Sequence, residues 1–306
     1  MNHVQALIDA IGQGAVFALI AVGIGLVFGV LRLINFAYGQ LIMVAAYALV
    51  FPGNWPDAAS IALAVLAAVA MSLVMERVAF RPLRTADPST MLVATFAIAY
   101  LVQNGALLQY TYRQQGGLGD PVGTLSGLNQ AVTIGSLHIR WVTFLAIGAG
   151  LVSLGGLVLF LNRTSVGLQM RAASMDFRTA RLLGVKADTV IMAAVAISGV
   201  LAAVAAVVLS ISSTLVNPTT GFQETIFVLV GVVAGGIDRL LSATLGAFAI
   251  GFAIDFVGTE LPNSGATPFT SNVFMPSVIY LAVIVVLLLR PAGLFARRGQ
   301  RPVERV

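Results

Sequence analysis

The chain has 306 residues, 58% of them hydrophobic and 9% charged, with a mean hydropathy of +0.97. A soluble core cannot absorb that composition, so the expected class is an all-α polytopic integral membrane protein. No cysteine is present, which excludes disulfides and thiolate metal sites, and His3 and His138 stand too far apart in polar sequence to suggest a metal site. The net charge of +5 would suit nucleic acid in a soluble protein, but its placement along this chain points to the lipid bilayer.

A membrane-spanning helix needs about 20 mainly apolar residues. The first predicted span runs from about Ala6 to Val30. No basic stretch precedes it, so a cleaved signal peptide is not expected. Gly25 and Gly29 stand at the spacing that lets another helix approach closely. The second element, about Leu33 to Phe51, opens with polar residues, placing Asn35, Tyr38 and Gln40 at membrane depth if the helix is regular. Polar groups at that depth are tolerated when they are buried in protein or line a wet path. The competing reading is an ordinary helix starting at the interface, where tyrosine is at home.

Residues 51–57, with two prolines and Trp55, form a turn. The third span covers Ala58 to about Met75, and the fourth runs from Ser89 to about Tyr110. Gln103 and Asn104 on the fourth either hydrogen-bond to a neighbouring helix or face a solute. The longest loop, Thr111 to Arg140, contains an alternating stretch near Ala131 to Ile139 that predicts a short hairpin. The fifth span is Trp141 to Leu161.

Residues 163–187 interrupt the apolar pattern with five cations, Arg163, Arg171, Arg178, Arg181 and Lys186. Asp176 has the chemistry of a helix N-cap, and Gly184 that of the residue just past a helix end. Between them Phe177, Ala180 and Leu183 recur on one face, while Arg178 and Arg181 share another. This predicts a short helix with an apolar and a basic side. It is either a solvated loop that fixes topology or a docking element for a partner.

The sixth span runs from Asp188 to about Ser210. Residues 225–236 are apolar but short for a crossing, and carry Gly231 and Gly235 at close-packing spacing. Spans at Leu240 to Val257 and Val273 to Leu289 follow, then a basic tail. The count is eight to nine segments, with the second and seventh short. With the N-terminus outside, Arg32, Arg77, Arg81, Arg84, the five central cations, Arg239, Arg290, Arg297, Arg298, Arg301 and Arg305 all fall on the cytoplasmic side. Only Arg113 and Arg140 fall outside, as the positive-inside rule requires.

The sequence contains no phosphate-binding loop, no zinc-protease motif and no nucleophile elbow, so an enzyme is not expected. Glu76, Glu224 and Asp255 lie near predicted helix ends, where water relieves the cost of charge. The chain therefore shows no energy source of its own.

Five stretches in order resemble the permease subunits of branched-chain amino acid ABC transporters. They are GLVFGVLRLINFAYGQLIMVAAY (Gly25 to Tyr47), ERVAFRPLR (Glu76 to Arg84), MRAASMDFRTARLLGVKADTV (Met170 to Val190), VNPTTGF (Val216 to Phe222) and LLLRPAGLF (Leu287 to Phe295). The pattern departs around Asp238-Arg239 and at Tyr38 and Gln40, which leaves the exact solute open.

The resemblance implies one bacterial inner-membrane permease domain over residues 1–306, with a cytoplasmic coupling loop at 163–187. It implies a homologous second permease, two cytoplasmic ATPases that bind ATP and Mg, and a periplasmic solute-binding protein. No cofactor is expected on this chain. The coupling contacts would fall at Arg171, Asp176, Phe177, Arg178, Ala180, Arg181, Leu183 and Gly184. The translocation pathway would fall at Asn35, Phe36, Tyr38 and Gln40, with Gln103 and Asn104. The rival expectations are a secondary transporter or channel working alone and a non-transporting scaffold.

Overall fold

The computed structural model describes residues 3–32, 34–50, 56–84, 86–113, 120–121, 130–134, 137–213, 215–236, 239–260 and 275–289. The turn at Trp55, most of the 111–140 loop, Asp238, Arg290 and the basic tail lie outside them.

Helix α1 (His3–Leu31) is apolar all round and is the central post of the bundle. A helix with no polar face buries itself among others. Helix α10 (Leu240–Glu260) lies against it most extensively, followed by α5 (Trp141–Arg163) and α8 (Ala187–Ser213). Small residues set these distances. A Cβ at Gly14 would sit 2.9 Å from the Phe248 carbonyl oxygen, and one at Gly251 would sit 3.0 Å from that of Gln13. Without a hydrophobic drive between helices in lipid, such close backbone approach is what holds them.

Helix α3 (Asp57–Met75) continues through a π-helical turn at Glu76–Phe80 and packs on α8, where Gly199 meets Ala68 and Ser72. Helix α4 (Pro88–Arg113) stands at the periphery, largely exposed. Among the described residues six helices are long and apolar enough to cross a membrane: α1, α3 with its π turn, α4, α5, α8 and α10. Helices α2 (Tyr38–Val50) and α9 (Phe222–Gly235) have 13 and 14 residues. At 1.5 Å per residue each is about 20 Å long, short of a ~30 Å hydrocarbon core. The polar lead of the second element is not helical, because α2 begins only at Tyr38. The last helix described, α11 (Met275–Leu289), packs on α9 and α10.

The bundle has two distinct ends. At one, strands β2 (Ala131–Ile134) and β3 (Leu137–Arg140) form the hairpin read from the alternation. The Gln5 side chain ties it to α1 by donating to the His138 carbonyl at 2.8 Å and accepting from the His138 N–H at 2.9 Å. Strand β1 (Asp120–Pro121) pairs with β4 (Leu215–Val216) in a second short ladder.

At the other end lie α6 (Ser165–Met175) and α7 (Phe177–Leu182), two helices where the sequence suggested one. Thr164 caps α6 by accepting from the Gly167 N–H at 2.9 Å. The Arg32 guanidinium donates to the Ser174 carbonyl at 2.8 Å, fastening α6 to the end of α1.

Candidate functional site

Two places in this bundle combine unusual chemistry with unusual position. The first is the corner at 163–187. Asp176 caps α7 as its chemistry suggests: Oδ1 accepts from the Thr179 N–H at 3.1 Å. Gly184 takes φ +89°, and the Gly184 and Val185 N–H groups bond back to the Arg181 and Ala180 carbonyls. That pair of bonds closes the helix with a left-handed residue, a conformation favouring glycine. Ala180 is buried, whereas Leu183 is 80% exposed, so they do not share a buried face. Leu182 and Met175 are also bare, at 84% and 88%. Arg171 and Arg181 are exposed beside them, and Arg171 donates to Asn162 Oδ1. Phe177 and Arg178 are the first two residues of α7. The tip is therefore an apolar patch with a cationic border, a composition suited to contact rather than solvation.

An ion-pair cluster links this corner to α3. Arg84 bridges Glu76 of the π turn and Asp188 at the start of α8, and Arg81 reaches Asp188 at 3.1 Å. The Glu76 side chain is 3% exposed, so the cluster is anchored in protein on that side. Nothing in the spacing of these residues announced the pairing.

The second place is where the two short helices begin. A Cβ at Gly39 would lie 2.6 Å from the Gly221 carbonyl oxygen and 2.8 Å from the Phe222 Cα. The starts of α2 and α9 thus touch. Gly221, at φ +83°, also abuts Ile42. Gly39, Ile42 and Gly221 are all buried, so the junction is enclosed by protein. The Phe222 ring is 6.1 Å from Tyr100, near the middle of α4, and 6.4 Å from Phe96. Phe36 meets Phe96 edge-on at 5.8 Å, and its N–H faces Thr95 Oγ1 at 3.4 Å.

The six residues assigned to a pathway divide here. Asn35, Tyr38 and Gln40 are buried in protein rather than lining open space. Asn35 Oδ1 accepts from the Ala37 N–H at 2.9 Å, setting the turn into α2. The Tyr38 hydroxyl fills the space beside Gly23. Phe36 and Gln103 are half-buried, and Asn104 is exposed with its amide donating to the Tyr100 carbonyl. Of the packing glycines, Gly231 and Gly235 lie against Ala247 and Gly246, and Gly25 faces Leu240. Among the described residues Gly29 meets nothing within 4 Å, so its spacing to Gly25 marks no contact there.

Glu224 sits in the first turn of α9, at a helix end as the sequence suggested. Its Oε2 accepts from the Gly221 N–H at 3.0 Å.

The sequence model for the permease component of branched-chain amino acid transport systems matches residues 6–289. The chain belongs to this family. The permease protein BraD of Pseudomonas aeruginosa is 30% identical to it over 319 residues, covering 100% of this chain and 98% of BraD. LivH of Escherichia coli K12 is 29% identical over 325 residues, with the same coverage. A probable LivH of Methanocaldococcus jannaschii is 25% identical, covering 96% of this chain and 93% of that protein. This permease is a multi-pass protein of the bacterial inner membrane and a transport component, not an enzyme.

Proposed function

We propose that this permease is one of two membrane subunits of an ATP-driven importer for branched-chain or related small amino acids. Residues 1–306 form a single membrane domain of eight or nine segments, with the N-terminus outside and the C-terminus in the cytoplasm. A homologous permease completes the pathway, and a periplasmic binding protein delivers the solute. Two cytoplasmic ATPases hold the ATP and Mg, and this chain binds no cofactor. The relatives named above as branched-chain amino acid permeases support the solute class.

The observation that carries the reading is the bare tip of the 163–187 corner. Leu182 and Leu183 are more than three-quarters exposed at the end of the bundle where Arg32, Arg81, Arg84, Arg171 and Arg181 also gather. Positive charge marks a cytoplasmic face, and exposed leucines there suit a groove on an ATPase.

Replacing Gly184 with Val tests this. Among the described residues nothing lies within 4 Å of its Cβ position, so the change strains the turn, at about 1–2 kcal/mol. Membrane insertion should survive while transport uncouples from ATP hydrolysis. A Leu183→Asp variant should lose the ATPases on purification. Full transport with normally stimulated hydrolysis in both variants contradicts the docking role.

The rival reading is a secondary transporter or channel working alone. Solute movement by the purified chain under an ion gradient, with no ATPase present, would establish it instead.

A further inference from the structure

Helix α4 turns one face to the bundle and leaves the opposite face uncovered. Met91, Thr95 and Ala99 are buried and form the inner side. Asn104 is half a turn around the helix from Thr95, so it points away from the bundle. Val93, Ala97, Leu101 and Leu108 share its side, spaced three or four residues apart. All five are exposed, and the valine and leucines reach 65%, 74% and 73%. Asn104 falls within the apolar stretch Ser89–Leu108. Asp87 precedes the helix and Arg113 ends it. Asn104 lies about 6 Å from the midpoint between them, inside a hydrocarbon core ~30 Å thick. It donates to the Tyr100 carbonyl at 2.8 Å, but an amide has a second hydrogen and an acceptor oxygen to satisfy. Lipid tails satisfy neither. Outside the first and last turns of the six spanning helices, no other described residue is an exposed amide or charge.

We propose that the outer stripe of α4, centred on Asn104, is the contact surface for the second permease of the importer. The assignment deepens the importer reading and rests on it. The occupant must itself cross the membrane, because an ATPase or a binding protein stays outside the hydrocarbon core. A homologous permease inserted the same way presents its corresponding helix at the same depth, across a twofold axis along the membrane normal. An amide both donates and accepts, so it pairs with a polar group brought to its level. One polar residue in an apolar seam fixes the register of two helices, and Ala97 is small enough for close approach. Asn104 then joins two subunits rather than contacting solute.

The test uses the whole complex, with both permeases, the ATPases and the binding protein, in liposomes. A benzoylphenylalanine photoprobe in place of Ala97 should capture the second permease, identified by mass spectrometry. The same probe in place of Val152, which is 75% exposed on α5, should not. Neither position is enclosed by this chain, so the probe has room at both. A second arm reads the amide itself. Asn104→Leu should lower the share of second permease retained through detergent purification about threefold, and Asn104→Gln should keep it. Capture of lipid alone or of another copy of this chain at position 97, equal capture at position 152, or unchanged retention in Asn104→Leu overturns the assignment. Failure of the importer reading looks different: no second permease then purifies with the wild-type chain.

Discussion

Arg84 offers a direct measure of how the arginine-rich end is held together. Its guanidinium serves two carboxylates in different environments: the Glu76 side chain is 3% exposed and that of Asp188 is 53% exposed. Arg84→Met removes both pairs but leaves only Glu76 with a buried, uncompensated charge. Breaking a buried pair from one side costs about 3–5 kcal/mol, whereas exposed pairs contribute little. The melting temperature of the purified permease, followed by size-exclusion chromatography after heating, should drop on the order of 5–10 °C. Asp188→Asn should be hard to separate from wild type. Adding Glu76→Gln to Arg84→Met should recover most of the loss, because the stranded charge is then gone. If Arg84→Met melts with wild type, or if Asp188→Asn falls as far, burial does not set the energetics of this cluster.

Glycine positions should separate by what surrounds them. Gly231→Leu drives a side chain into Ala247, whose Cα is 2.6 Å from the Cβ position, and should abolish a monodisperse folded peak; Gly29→Leu meets nothing within 4 Å and should keep it. Tyr38 and Tyr100 should differ in thiol access: Tyr38→Cys, fully buried, should resist a membrane-permeant maleimide, while Tyr100→Cys, at a site 48% exposed, should label readily. The Tyr38 hydroxyl is buried with no hydrogen-bond partner among the described residues, so Tyr38→Phe should leave stability unchanged or raise it by about 1 kcal/mol, read as the same melting shift.

The local elements were legible in the sequence because their causes are local. Asp176 and Gly184 marked the two ends of α7, since a side-chain acceptor and a left-handed residue act on their own helix. The 131–140 hairpin followed from alternation, and the long apolar runs gave the spanning helices. Five motif stretches in order also sufficed to recognise the family, which the match over residues 6–289 bears out.

Contacts between distant segments were not legible. Glu76, Arg84 and Asp188 meet only because the π turn lies against the start of α8, and no spacing encodes that distance. Asn35, Phe36, Tyr38 and Gln40 read alike as buried in protein or lining a pathway, whereas folding sends Tyr38 against Gly23 and leaves Phe36 near α4. The tertiary structure also starts α9 beside Gly39, a contact that neither segment announces by itself. Hydropathy and caps are properties of neighbours in sequence, whereas depth and pairing belong to neighbours in space.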